Sequence, residues 1–110
     1  MRYTGRMNRA DPILIRLKRE IAALYGPRLK QVLLYGSRAR GDFRPDSDYD
    51  VLVVLEGPFD WWSEVKRLGE VSWNITYDTG AVPSLKPVAP EELERRTGFM
   101  HNVRQEALTL

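Results

Sequence analysis

Cysteine is absent from this sequence, and histidine occurs once, at position 101. Without thiols there is no disulfide framework and no thiolate zinc site. The lone His101 has no evident partner in the sequence, and a surface or partly buried position is expected for it. Also missing are an apolar N-terminal core of the secretory kind and any run of 18 apolar residues, so a cytoplasmic chain without a membrane span is expected. Charge of one sign is not in excess either: 17 Lys and Arg stand against 15 Asp and Glu, a formal net charge of +2. That balance admits an anionic ligand without demanding a nucleic-acid surface, so direct binding to nucleic acid is not expected. With 43% hydrophobic residues over 110 positions, the chain has the makings of one globular domain, 1–110, with a single modest core.

The basic stretch "MRYTGRMNRA" has no apolar period, and a loose arm is expected over 1–10. Asp11 and Pro12 read as N-cap and first helical position. Leu14, Leu17, Ile21 and Leu24 follow at helical spacing, and Gly26-Pro27 stops a helix over 12–25. "QVLLY", 31–35, and "YDVLVVLE", 49–56, are short apolar runs that fit buried strands. "DWWSEVKRLG" reads as a short helix with Trp62, Val65 and Leu68 toward a sheet. "EVSWNITYD", 70–78, alternates Val71, Trp73, Ile75 and Tyr77 with polar residues, which predicts a third strand. Pro83 and Pro87 confine "AVPSLKPVA" to an edge strand, and helical turns interrupted at Gly98 close the chain. The expected class is α/β (α+β), a mixed sheet of about four strands flanked by helices.

The most charged segment lies between the first two strands, in "LLYGSRARGDFRPDSDYDVLVV". A strand running into Gly36-Ser37 leaves backbone N–H groups unpaired, and glycine lets an anion reach them with no Cβ in the way. Asp48 and Asp50, two apart at a strand start, project from one face and repel unless a cation lies between them. Oxygen ligands alone select a hard cation, and Mg²⁺ takes one or two carboxylates plus substrate phosphates. Gly36 and Ser37 would thus hold phosphates, Asp48 and Asp50 the metal, and Arg38 or Arg40 the remaining negative charge. Each piece alone reads more blandly, as turn chemistry and solvated ion pairs. Two turns of opposite electrostatic character beside adjacent strands carry the stronger reading.

Those residues, "GSRARGDFRPDSDYD" with Arg40-Gly41 inside and Ser47 ahead of Asp48, match the signature of the nucleotidyltransferase superfamily related to DNA polymerase beta. Within it the chain resembles the minimal nucleotidyltransferases (MNT), antitoxins of HEPN-domain toxins. The resemblance implies the nucleotidyltransferase fold and transfer of a nucleoside monophosphate, AMP from ATP, to a hydroxyl on a HEPN partner, with Mg²⁺ or alternatively Mn²⁺. Asp48 and Asp50 become the catalytic metal ligands, and Gly36, Ser37, Arg38, Arg40 and Ser47 the nucleotide-binding set. The superfamily's third carboxylate lies on the following strand. Aligning "WNITYDTG" with it puts Asn74 in that place, and Asp78 on the same strand face roughly 13 Å further along. Asn74 and Asp78 are therefore the remaining candidate ligands, and weakened catalysis, or an antitoxin that binds nucleotide and acts by occlusion alone, is the competing reading. Nucleotide addition to RNA or to a small molecule is less favoured, since no domain for gripping either is attached.

A chain this short has little surface for a second substrate, so a partner must present the hydroxyl. Trp61 and Trp62 diverge by about 100° on a helix, so both cannot face one sheet. One or both are candidate interface anchors, and packing within the chain is an equal alternative. Self-association stays open.

Overall fold

The structure, a computed structural model, describes residues 11–110. The arm expected over 1–10 lies outside the described residues. Helix α1, Pro12–Tyr25, begins where Asp11 accepts from the Ile13 N–H at 2.8 Å, and ends at Gly26, whose φ of 55° favours glycine. Its buried residues are Leu14, Leu17, Ile21 and Tyr25. Leu24, expected on that stripe, is half exposed, because a period of 3.6 carries the buried row on to position 25.

Strand β1, Leu29–Tyr35, leads through a single-turn helix α2, Ser37–Arg40, to strand β2, Tyr49–Leu55. The two strands pair antiparallel, with Leu34 opposite Val51 and Tyr35 opposite Asp50. Helix α3, Trp61–Thr79, follows as one 19-residue element. The strand expected over 70–78 is therefore corrected to the second half of a helix. Val71 and Ile75 satisfy alternation, but with Glu64 and Leu68 they also form the helical series i, i+4, i+7, i+11, and those are the residues buried. Gly69 does not interrupt it. Trp62, expected toward the sheet, is 67% exposed, and Val65 is half buried.

Topology supplies the reason. Strand β3, Pro83–Val88, pairs parallel with β2, and a parallel pair needs a crossover of a dozen residues or more, which α3 provides. As expected from its prolines, β3 is an edge strand. After a 3-10 turn, Pro90–Glu94, comes helix α4, Gly98–Glu106, and strand β4, Leu108–Thr109, then adds antiparallel to β1. The four-stranded mixed sheet has the order β3-β2-β1-β4.

Alternation along β1 and β2 sorts the core into two layers. Val32, Leu34, Tyr49, Val51, Val53 and Leu55 pack with α1 and α3 on one face. Leu33, Leu52, Val54 and Val88 pack with Met100 and Val103 of α4 on the other. Among the described residues no helix is long and apolar enough to cross a membrane.

The corrected helix makes a distinguishing prediction. Trp73, Ile75 and Tyr77 share a face in a strand, but in α3 only Ile75 is buried, at 0% exposure. Ile75→Ala is expected to cost about 2–5 kcal/mol of stability, while Tyr77→Ala stays within roughly 0.5 kcal/mol. Urea unfolding of both variants checks this; equal losses would restore the strand.

Candidate active site at the mouth of β1 and β2

Because Tyr35 and Asp50 are register partners, the turn leaving β1 and the start of β2 meet at one end of the sheet. Gly36 sits there with φ 77° and ψ −158°. A Cβ built on it would lie 2.5 Å from Asp50 Oδ2, so the Asp50 carboxylate fills the space a side chain would take. Glycine is thus required twice, by its backbone angle and by its neighbour. Ser37 opens α2, whose first helical bonds run from the Ala39 and Arg40 N–H groups to the Gly36 carbonyl. Those two amides are taken up in closing the turn, and the backbone of Gly36 is what lies against the carboxylate.

Asp50 is half buried on the sheet face that carries α4, and Asp48 is exposed two residues earlier. Burial, and then the repulsion of Asp48, push the Asp50 carboxyl above the usual aspartate range; Lys86 and Arg40 pull the other way. Arg40 is exposed and paired with Asp42 at 3.3 Å and Glu106 at 3.4 Å. It stands near Asp50 as a screening cation.

Arg38 has a different position from the one expected of a phosphate contact. It is buried, with its guanidinium 3.8 Å from the Tyr49 ring centroid and 4.7 Å from that of Phe43. It donates to the carbonyls of Ser47 at 3.1 Å, Pro45 at 3.1 Å and Arg44 at 3.4 Å, with Asp11 at 3.9 Å. These bonds draw the loop 41–48 onto α2 and set the approach of Asp48 and Asp50. Ser47 works in the same loop, its Oγ accepting from the Arg44 N–H at 2.8 Å. Both hold the loop together.

Asn74 and Asp78 are not brought to the site. They are exposed on α3, which packs by Leu68, Val71 and Ile75 on the face opposite that of Asp50. Asp78 is paired instead with Arg16 of α1 at 2.8 Å. The strand that does neighbour Asp50 is β3, where Ser84 stands opposite Asp50 and Lys86 opposite Leu52. "PSLKPV" contains no carboxylate. Among the described residues no group of three or more His, Cys, Asp or Glu could hold a metal, which leaves Asp48 and Asp50 as the acidic pair.

Three residues join the site that sequence reasoning did not assign to it. Lys86 lies 5.6 Å from the Phe99 ring centroid, and Phe99 meets Tyr35 edge-on at 5.4 Å. Burial, with the added field of Asp50, raises the Tyr35 hydroxyl to about 12. The only signal for Lys86 was its place in an edge strand, and its pairing with β2 is legible only once α3 is known to be a helix.

The chain matches the family model of the nucleotidyltransferase domain over residues 14–105. It is 46% identical over 37 residues to a protein of Methanocaldococcus jannaschii provisionally named a protein adenylyltransferase, a match that covers 34% of this chain and 37% of that one. Among solved structures, a nucleotidyltransferase, so named provisionally, from Sulfolobus solfataricus superposes with a TM-score of 0.63 at 20% identity, covering 88% of this chain and 75% of that one. A complex of tri-AMPylated Shewanella oneidensis HEPN toxin with MNT antitoxin gives 0.52 at 12% identity, covering 88% and 70%. Likenesses at such identity speak for the fold.

The raised Asp50 carboxyl has a consequence for stability. Its folded pKa exceeds the ordinary value of 3.8, so ionised Asp50 opposes folding above that pH, and the penalty vanishes below it. Asp50→Asn is expected to raise the thermal midpoint at pH 7 in chelator, with a gain that shrinks toward pH 3. Calorimetry at both pH values checks the sign; a gain independent of pH would remove the electrostatic explanation.

Proposed function

Because the chain belongs to the nucleotidyltransferase domain family, we propose that it transfers a nucleoside monophosphate, AMP from ATP, to a hydroxyl on a HEPN-type protein and so acts as an antitoxin. The observation that carries this reading is the Asp48 and Asp50 pair held against the Gly36 turn. Support for the adenylyl group comes from the relative named for protein adenylylation, and for the partner from the toxin and antitoxin complex of the same fold.

In this reaction the acceptor oxygen bonds to the α-phosphorus, the bond to pyrophosphate breaks, and the hydroxyl proton leaves. Positioning and charge neutralisation are most of what such a transfer needs. Gly36, lacking a Cβ, lets the Asp50 carboxylate come up against the turn, so that the metal it would hold and the turn that would meet the phosphates lie together. The two carboxylates fit one hard divalent cation: they repel each other, and burial has already stripped Asp50 of part of its hydration. Mg²⁺ or Mn²⁺ held by Asp48 and Asp50 would neutralise phosphate charge there. Arg40 and Lys86 add positive charge at the rim, and Arg38 and Ser47 keep the loop in register.

A second reading is favoured by β3. With Ser84 and Lys86 in the strand beside Asp50, β3 offers no carboxylate to assist deprotonation of the acceptor, and nucleotide bound without turnover would make the chain an antitoxin by occlusion.

One experiment separates the two: ATP labelled at its α-phosphate, with Mg²⁺ and a co-expressed HEPN-domain protein. Label is expected on the partner, with Asp50→Asn lowering transfer at least about a hundredfold, the upper end of what losing a mere supporting partner of a metal ligand costs. No label, with ATP still bound in a parallel titration, would leave the occlusion reading.

A further inference from the structure

Helix α3 is apolar on two opposite sides. Its buried row, Glu64, Leu68, Val71 and Ile75, faces the sheet. At about 100° per residue, Trp62, Lys66, Gly69, Trp73 and Tyr77 form a second row about 180° away. All five are exposed, Trp62 and Trp73 at 67% and Tyr77 at 80%. The solvent side of a surface helix is ordinarily polar, yet here three large aromatics lie diametrically opposite the core, Trp62 meeting the neighbouring Trp61 edge-on at 4.8 Å. Gly69 lies at the middle of this row. A Cβ there would meet nothing within 4 Å, so the chain's own packing does not ask for glycine, although glycine is a poor helix former. A second backbone passing close over this point would ask for it.

We propose that this row is the contact between two copies of the chain, with the α3 helices antiparallel about a two-fold axis passing between Gly69 and Glu70. The pattern itself selects a second copy over another partner, because it is self-complementary. About that axis Trp62 meets Tyr77 of the second copy, Lys66 meets its Trp73, and Gly69 meets its Glu70. Aromatic faces the size of an aromatic, a cation lies over an indole, and the small residue is at the crossing. Lys66 also comes within one turn of the second copy's Glu70, so each copy's cation finds the other's carboxylate, and the symmetry makes every such contact occur twice. Six aromatic side chains, each able to bury about 150 Å², supply roughly 900 Å² before their neighbours are counted, close to the 1,000 Å² that a specific interface needs. The face lies on the side of the sheet away from Asp50, so both candidate active sites stay open in the dimer. The dimer does not depend on the proposed transfer, and its test touches none of the residues placed in the site.

The test is the mass of the full chain in solution, by light scattering on a sizing column and by sedimentation equilibrium over a concentration series. A dimer is expected. Lys66→Glu and Glu70→Lys should each weaken it about tenfold or more, since each puts like charges together at two places, and the double variant should recover it because the pair is restored with its signs exchanged. Trp73→Ala should give a monomer with an unchanged circular dichroism spectrum. A monomer at every concentration overturns the proposal. So does a dimer indifferent to the charge exchange and to Trp73→Ala, which would place the contact elsewhere. A monomeric chain whose binding to a HEPN-domain protein is lost on Trp73→Ala would also overturn it, assigning the face to that partner.

Discussion

The antiparallel pairing of β1 with β2 is the constraint on which the rest depends. It puts Tyr35 opposite Asp50 and thereby sets the α-carbon of Gly36 against the Asp50 carboxylate, closely enough that a methyl group could not be added. Burial takes that carboxylate partly out of water, and Asp48 stands two residues before it; both raise its pKa. A site that opposes folding in this way persists only if the surrounding structure holds it in place. Here that structure is two hydrophobic layers, one on each face of the sheet, built on the strands that carry the turn.

The loop between the strands is held by a buried cation where a core of this size has little apolar material to give. Arg38 spans from α2 to three loop carbonyls and stacks on Tyr49 and Phe43. Tyr49 in turn donates to Asp11 at 2.7 Å, so the N-cap of α1, the loop and the start of β2 form one polar network. A guanidinium offers five donors in a fixed plane and can satisfy several carbonyls at its edge while its face stacks on a ring, a combination that a lysine's compact ammonium does not offer. The arginines of "RARGDFR" thus divide their labour: Arg38 turns inward to build the loop, and Arg40 stays at the rim.

Helix α3 answers to two demands. As the crossover between parallel strands it must bury a row on the sheet, including Glu64, which is 3% exposed and held by Arg28 at 3.0 Å and Arg67 at 3.2 Å. Its opposite row is aromatic, and that surplus is what made "VSWNITY" look like a strand. Alternating apolar residues are normally the mark of one buried face, but here they came from two faces of a helix, one buried and one exposed.

What could be read from the sequence by itself was local: the caps and stops of α1, the two apolar strands, the prolines that make β3 an edge, and the glycine turn with its pair of aspartates. Each is encoded within a few residues, by φ preferences, by hydrogen bonds from side chain to backbone, and by the alternation of side chains along a strand. Tertiary structure decided what depends on residues far apart. It made 70–78 helical because β3 had to return parallel to β2. It moved Asn74 and Asp78 to the far side of the sheet, and it put Ser84 and Lys86 in the strand beside Asp50. It turned Arg38 into the loop because only the folded chain gathers three carbonyls around one guanidinium. Local sequence carries no record of which strand will lie beside which, since strand pairing is set by the burial of both faces of the sheet together.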